Sequence, residues 1–206
     1  MRENRLRTLW KNDQAAVNGW LAIPNSFSAE VMAHQGWDSL TIDLQHGVID
    51  YAAMVTMLQA ISTTPTVPVV RVPWLEPGIL MKALDAGAYG VICPMVNTSE
   101  EAKNLVSYAK YPPKGARSNG PIRSGLYGSA GAYQQTANDE IVLLPMIVMY
   151  LLSDVGSIAG GWLSSNLIHK GWTPNAARKV TMIIAGCCVL PLLFVTQLEN
   201  MWLAVA

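Results

Sequence analysis

Residues 143–156 read LLPMIVMYLLSDVG, and the fold turns on how this stretch is divided. LLPMI has the composition of a strand buried inside an α/β domain, whereas IVMYLLSDVGSIAGG, beginning at Ile147, continues as an apolar helix. Working back towards the N-terminus, the strand reading finds company. Short runs rich in Val and Ile recur after Gly, Asp or Pro: GWLAIP at 19–24, SLTIDLQH at 39–46, VPVVRVP at 67–73, GVICPMV at 90–96 and IVLLPMI at 141–147. Uninterrupted apolar runs of this length predict strands buried on both faces. SAEVMAHQG, DYAAMVTMLQAIS and EPGILMKALDAG lie between the first four runs and carry helical periodicity. Strand and helix alternate, which predicts a parallel sheet.

A unit of roughly 25 residues per strand and helix is the pace of a (β/α)8 barrel, typically about 250 residues long. The pattern stops at the fifth run. The expected fold is therefore an incomplete (β/α)8 TIM barrel, about strands 1–5, over residues 1–147, followed by two hydrophobic, transmembrane-like helices over 148–206. The segment 111–133, YPPKGARSNGPIRSGLYGSAGAY, reads as a long loop between strands four and five, and a functional loop and a plain connector both fit it.

Composition changes at the same place. Residues 1–140 hold 11 of the 14 basic and 12 of the 14 acidic residues. Their balance gives no basic face for nucleic acid and no Lys/Arg run for anionic lipid, which points to small, neutral partners. Cys93, Cys187 and Cys188 form no metal-ligand spacing, in keeping with a reducing cytosol. The first twenty residues lack the apolar core of a secretory signal, so a cytoplasmic location is expected for the first part.

In a barrel of this kind chemistry collects at the C-terminal ends of the strands. Asp43 and His46 end the second run and Arg71 ends the third. A histidine there is more often structural than catalytic, but a carboxylate three residues earlier and a guanidinium on the next strand suggest acid–base work beside an anion. A fixed guanidinium aimed at developing negative charge lowers a barrier without reorganising.

TIDLQHGVID (41–50), PVVRVPW (68–74), ALDAGAYGVICPMV (83–96) and YPPKGARS (111–118), in this order, resemble the metal-dependent 2-oxo acid aldolases of the HpcH/HpaI type over about residues 4–147. The resemblance implies a barrel that cleaves a 4-hydroxy-2-oxo acid into pyruvate and an aldehyde, a divalent metal (Mg, Mn or Co) as Lewis acid, and a homo-oligomer. It implies that His46 manages the 4-hydroxyl proton, oriented by Asp43 and Asp85, and that Arg71 binds substrate and stabilises the enolate oxygen. Asp85 also reads as a plain helix-end residue before Gly87. Gln45 stands where the family commonly has Glu, and Val148 stands where its first metal-ligating Glu is expected, so metal binding is not expected in this chain.

Downstream, Asp154 is the only charged residue between Ile141 and Ile168, and Val180–Leu198 is an uncharged run of 19. Either is apolar enough to suggest a membrane span of ~20 residues. MYLLSDVGSIAGGWLSSNLIHKGWTPNAARK and MIIAGCCVLPLLF resemble a piece of a major facilitator superfamily sugar-acid (hexuronate-type) transporter, with Ser165 at a position where Asp is common. Gly156 and Gly160 offer a small-xxx-small contact. Lys170, Arg178 and Lys179 place the intervening loop on the cytosolic side. That would put the first part outside, in conflict with its missing signal, so a stable span is not expected. The combined expectation is a truncated pyruvate-type aldolase joined to a transporter fragment and inactive as it stands. A membrane-tethered 2-oxo acid sensor is the alternative.

Overall fold

The computed structural model describes the backbone of residues 2–127 and 132–189, with side chains at 2–126, 132–146 and 155–188. Five strands, β1 (Asn18–Leu21), β2 (Ser39–Asp43), β3 (Val67–Arg71), β4 (Gly90–Cys93) and β5 (Val142–Pro145), pair in chain order, every pair parallel. Six helices belong with them: α1 (Arg5–Lys11), α2 (Ser26–Ala33), α3 (Tyr51–Ile61), α4 (Pro77–Asp85), α5 (Ser99–Ala109) and α6 (Ala132–Glu140). This is the βα-repeating start of a TIM-barrel-like fold. Each expected strand is present but ends two or three residues earlier than the apolar run, where the chain leaves the sheet for the loops.

The two faces of the sheet have different neighbours. Leu40, Ile42, Val70, Val91 and Cys93 pack among Met54, Met57, Leu58, Leu80, Leu84 and Leu105 of α3, α4 and α5. The opposite face, Val67, Val69, Ile92 and Leu144, gathers with Tyr89, Met146 and Leu6 of α1. Alternation along a strand sends Trp20, Thr41, Asp43, Val69 and Arg71 to this second, inner face. β2 and β3 are buried over their whole length, as strands covered on both sides must be.

Helix starts are chemically marked. Asn25, Asp50 and Glu76 each accept first-turn amide hydrogens, and Thr98 and Glu101 form a reciprocal capping box. At the far end of α4, Gly87 takes φ 110°, the left-handed geometry that turns the chain into β4. The N-terminal segment closes that end of the sheet. The Asn4 amide donates to Glu140 Oε2 at 2.8 Å, its side-chain amide donates to the carbonyls of Tyr89 and Glu140, and Arg7 donates to those of Glu140 and Ile141. None of α1, α5 and α6 was picked out by the apolar pattern. The 111–133 segment is only partly a loop, since a 3-10 turn occupies Ser124–Tyr127 and α6 begins at Ala132.

The chain divides into two compact units, the first comprising residues 1–12 and 16–146, and the second comprising Asp13–Ala15 and the residues from Ile147 onward. In the second, α7 (Ile147–His169) and α8 (Pro174–Val189) form a helical hairpin that turns at Gly171, φ 90°. Gly160 lies against Thr181, whereas a side chain at Gly156 would meet nothing within 4 Å, so of the expected small-residue pair only Gly160 faces α8. The expectation of transmembrane-like helices is corrected here. Among the described residues no helix is long and apolar enough to cross a membrane. The described part of α8 carries Arg178 and Lys179 in its first turns. The described part of α7 is diluted by Gly156, Ser157, Gly160, Gly161, Ser164, Ser165 and Asn166. Residues 190–198 of the second apolar run, and the side chains of Val148 and Asp154, lie outside the described residues.

Candidate active site

The register Asp43↔Arg71 puts the last residues of β2 and β3 side by side on the inner face. Arg71 donates from Nε to Asp43 Oδ1 at 2.8 Å and from Nη2 to Oδ2 at 2.5 Å, a bidentate pair in which both residues are buried. Trp20, from the end of β1, adds two contacts. Its indole N–H donates to Asp43 Oδ2 at 3.2 Å, and its ring carries the Arg71 guanidinium 4.8 Å from the centroid. The backbone amides of Gln45 and His46 donate to Asp43 Oδ1 at 3.0 and 3.3 Å. Burial works to raise the Asp43 carboxyl, but the bonds from Arg71, Trp20, His46 and Gln45 outweigh it and hold it well below the usual carboxylate range. Asp43 is therefore an anion at any ordinary pH.

His46 follows on a tight loop. A Cβ on Gly47 would sit 2.3 Å from the Asp43 carbonyl oxygen and 3.2 Å from Ala22 Cα, so only glycine lets the chain fold back here. The imidazole is exposed and makes no hydrogen bond among the described residues. Among the described residues the Asp43 side chain makes no bond to the imidazole and meets His46 through its backbone amide. The carboxylate holds the His46 backbone, while its own lone pairs go to Arg71 and Trp20.

Asp85 is not beside His46 within this chain. It ends α4, which runs back against the strands, so it lies near the start of β4 while His46 follows the end of β2. From Val67 to Arg71 alone the sheet rises about 13 Å. There Asp85 accepts from Nη2 of Arg117 at 2.5 Å. Arg117 is buried, with its guanidinium 4.5 Å from the Tyr111 ring and 5.7 Å from that of Tyr133. Burial raises the Asp85 carboxyl, and the Arg117 bond only partly opposes this. Arg117 comes from YPPKGARS, whose last part packs at this end rather than at the strand C-termini. Sequence reasoning missed both Trp20 and Arg117. Trp20 could have been found by the rule that picked out Asp43 and Arg71, because it too stands near a strand's C-terminal end.

The described residues do not fit a divalent metal. No three His, Cys, Asp or Glu side chains converge among them. Of the carboxylates at the C-terminal ends of the strands, Asp43 is engaged with Arg71, and Asp50, Glu76 and Glu101 are engaged as helix caps. β4 and β5 run on into Pro94 and Met146, which offer no acid.

Residues 18–149 match the HpcH/HpaI aldolase/citrate lyase family. A hydroxypyruvate/pyruvate aldolase of Rhizorhabdus wittichii is 44% identical over 145 residues, covering 70% of this chain and 57% of that protein. A 4-hydroxy-2-oxo-heptane-1,7-dioate aldolase of Salmonella typhimurium is 35% identical over 147 residues, 70% of this chain and 56% of that protein. Among solved structures, an HpcH/HpaI aldolase/citrate lyase family protein of Burkholderia cenocepacia superposes with a TM-score of 0.65 at 33% identity, covering 69% of this chain and 58% of the other. The chain thus spans little more than half the length of these relatives. The family match ends at residue 149, and these findings lend no support to a transporter origin for the residues beyond.

Proposed function

Because the chain belongs to the HpcH/HpaI aldolase/citrate lyase family, we propose that its α/β unit is the oxo-acid-holding half of a pyruvate-type aldolase site, and that it binds a 2-oxo acid without completing metal-dependent cleavage. The observation that carries this reading is the buried Asp43–Arg71 pair. Two guanidinium nitrogens are fixed by Asp43, and Nη1 is left without a hydrogen bond among the described residues. A guanidinium so fixed meets the carboxylate or enolate oxygen of a 2-oxo acid without reorganising, which is where electrostatic catalysis gains most.

His46 stands on the loop tied to the same Asp43. In the cleavage of a 4-hydroxy-2-oxo acid it would take the 4-hydroxyl proton. The C3–C4 bond then breaks, its electron pair becomes the enolate of pyruvate, and the aldehyde leaves. Arg71 holds the enolate oxygen, and the same imidazole can return the proton to C3. The family generally uses a divalent ion such as Mg, Mn or Co as Lewis acid. This chain has no donor set for one among its described residues, and beyond residue 149 it continues as α7 and α8 instead of further strand–helix units.

The test has two arms. Thermal shift with pyruvate and oxalate should give a saturable rise in melting temperature, and a flat titration with both overturns the binding claim. Purified chain with Mg, Mn or Co should release no pyruvate from 4-hydroxy-2-oxo acids in a coupled assay. Metal-dependent release abolished by His46→Ala overturns the claim that cleavage is not completed.

A further inference from the structure

Three strands contribute one residue each to the buried pair and its lid, and the third residue has no role in the reaction described above. Trp20 lies on the inner face of β1, in register with Thr41, one inner-face step from Asp43. It touches both members of the pair at once, with its N–H on Asp43 Oδ2 and its ring under Arg71. The indole is partly exposed, with the residue 42% accessible, so it stands between the ion pair and solvent.

We infer that Trp20 is a positioning residue for the anion subsite: it fixes the plane of the Arg71 guanidinium and thereby sets where Nη1 meets an incoming carboxylate or enolate oxygen. The geometry separates its two contributions. The N–H pins Asp43 Oδ2, so the carboxylate cannot rotate about its Cβ–Cγ bond and let Arg71 swing. The ring face supports the guanidinium from one side. Leucine at 20 removes both contributions, whereas phenylalanine keeps a face and removes only the donor. The ligand in this inference rests on the oxo-acid reading, but the effect on Arg71 does not.

The experiment uses the full chain, 15N-labelled, as wild type, W20F and W20L. The first readout is the Arg71 Nε–H resonance and its exchange rate with water. The second is oxalate affinity by titration calorimetry. Stacking and donor contacts of this kind imply oxalate binding weaker by about threefold in W20F and on the order of tenfold in W20L. The Nε–H should exchange faster in both, more so in W20L. Unchanged exchange together with unchanged oxalate affinity in W20L overturns the inference. Should W20L fail to fold, W20F decides, and a wild-type exchange rate there overturns it. Should the wild type bind no oxalate, the oxo-acid reading falls, while the exchange rates still decide the role of Trp20.

Discussion

Asp43→Asn is the perturbation that probes the site most directly. The Asp43 carboxylate accepts five hydrogen bonds, three at Oδ1 (Arg71 Nε and the amides of Gln45 and His46) and two at Oδ2 (Arg71 Nη2 and Trp20 Nε1). Asparagine has one oxygen. Placed at the Oδ1 position it keeps three donors, but its NH2 then faces two further donors, Arg71 Nη2 and Trp20 Nε1. The buried Arg71 charge also loses its counter-ion. Removing one partner of a buried pair costs about 3–5 kcal/mol. Three retained hydrogen bonds place this case near the lower end, about 3–4 kcal/mol. For a chain of this size that corresponds to a melting-temperature fall of roughly 6–15 °C. The assay is thermal unfolding of the α/β unit followed by tryptophan fluorescence at neutral pH.

The sign with pH follows from the lowered Asp43 carboxyl. Its stabilisation is complete above the ordinary carboxylate value of about 4 and is lost only as pH falls through the lower, folded value. The gap between wild type and D43N should therefore close only in strong acid. Adding Arg71→Met to D43N should recover part of the loss, because the orphaned charge is gone. A D43N protein melting within about 2 °C of wild type at neutral pH would refute the reasoning.

Gly47→Ala should cost more than about 2 kcal/mol in denaturant unfolding, because the new methyl meets the Asp43 carbonyl at 2.3 Å and the loop carrying His46 must shift. Tyr111→Phe should be neutral or stabilising by up to about 1 kcal/mol in urea, since the Tyr111 hydroxyl is buried without a hydrogen-bond partner among the described residues. Burial pushes that phenol up to about 12 despite the nearby Arg117, so in spectrophotometric titration of the folded chain Tyr111→Phe should remove absorbance change only above about pH 11. Burial likewise pushes the Cys93 thiol up to about 11, whereas Cys187 and Cys188 are exposed. Aromatic disulfide reagents at pH 8 should therefore titrate Cys187 and Cys188 quickly and reach Cys93 only after denaturation.

β2, β3 and β4 were legible because they are buried on both faces and so read as unbroken apolar runs, while β1 and β5, only partly buried, were legible from their place in the repeat. His46, Asp43 and Arg71 were legible because strand ends can be counted once the runs are placed. What Asp43 binds was not legible. Its partner depends on the Asp43↔Arg71 register, a relation between two strands that neither states alone. The place of Asp85 follows from the strand–helix order, since a helix that returns to start a parallel strand ends at the opposite end of the sheet from His46, but its partner Arg117, 32 residues further on, was not legible. α6, with AYQQTANDE, has too little apolar periodicity to announce itself, although Asn138 and Tyr111 bond each other's groups reciprocally across it. The opposite error arose after Ile147, where long runs with almost no charge suggested a membrane span, while among the described residues the Gly, Ser and Asn of α7 and the Arg178 and Lys179 of α8 leave no helix apolar enough for one.

The bonds from Asn4 and Arg7 to Glu140 and Ile141 also impose a timetable. They join residues about 136 positions apart, the first made and nearly the last made of the α/β unit. At a synthesis rate of about 5–20 residues per second, the nascent chain spends roughly 7–27 seconds with that end of the sheet unlatched. Throughout that interval Leu6 has no complete inner layer to enter, because Leu144 and Met146 are not yet present. A growing chain thus carries its own N-terminal helix exposed until β5 arrives, and this is the window in which chaperones or proteases would meet it.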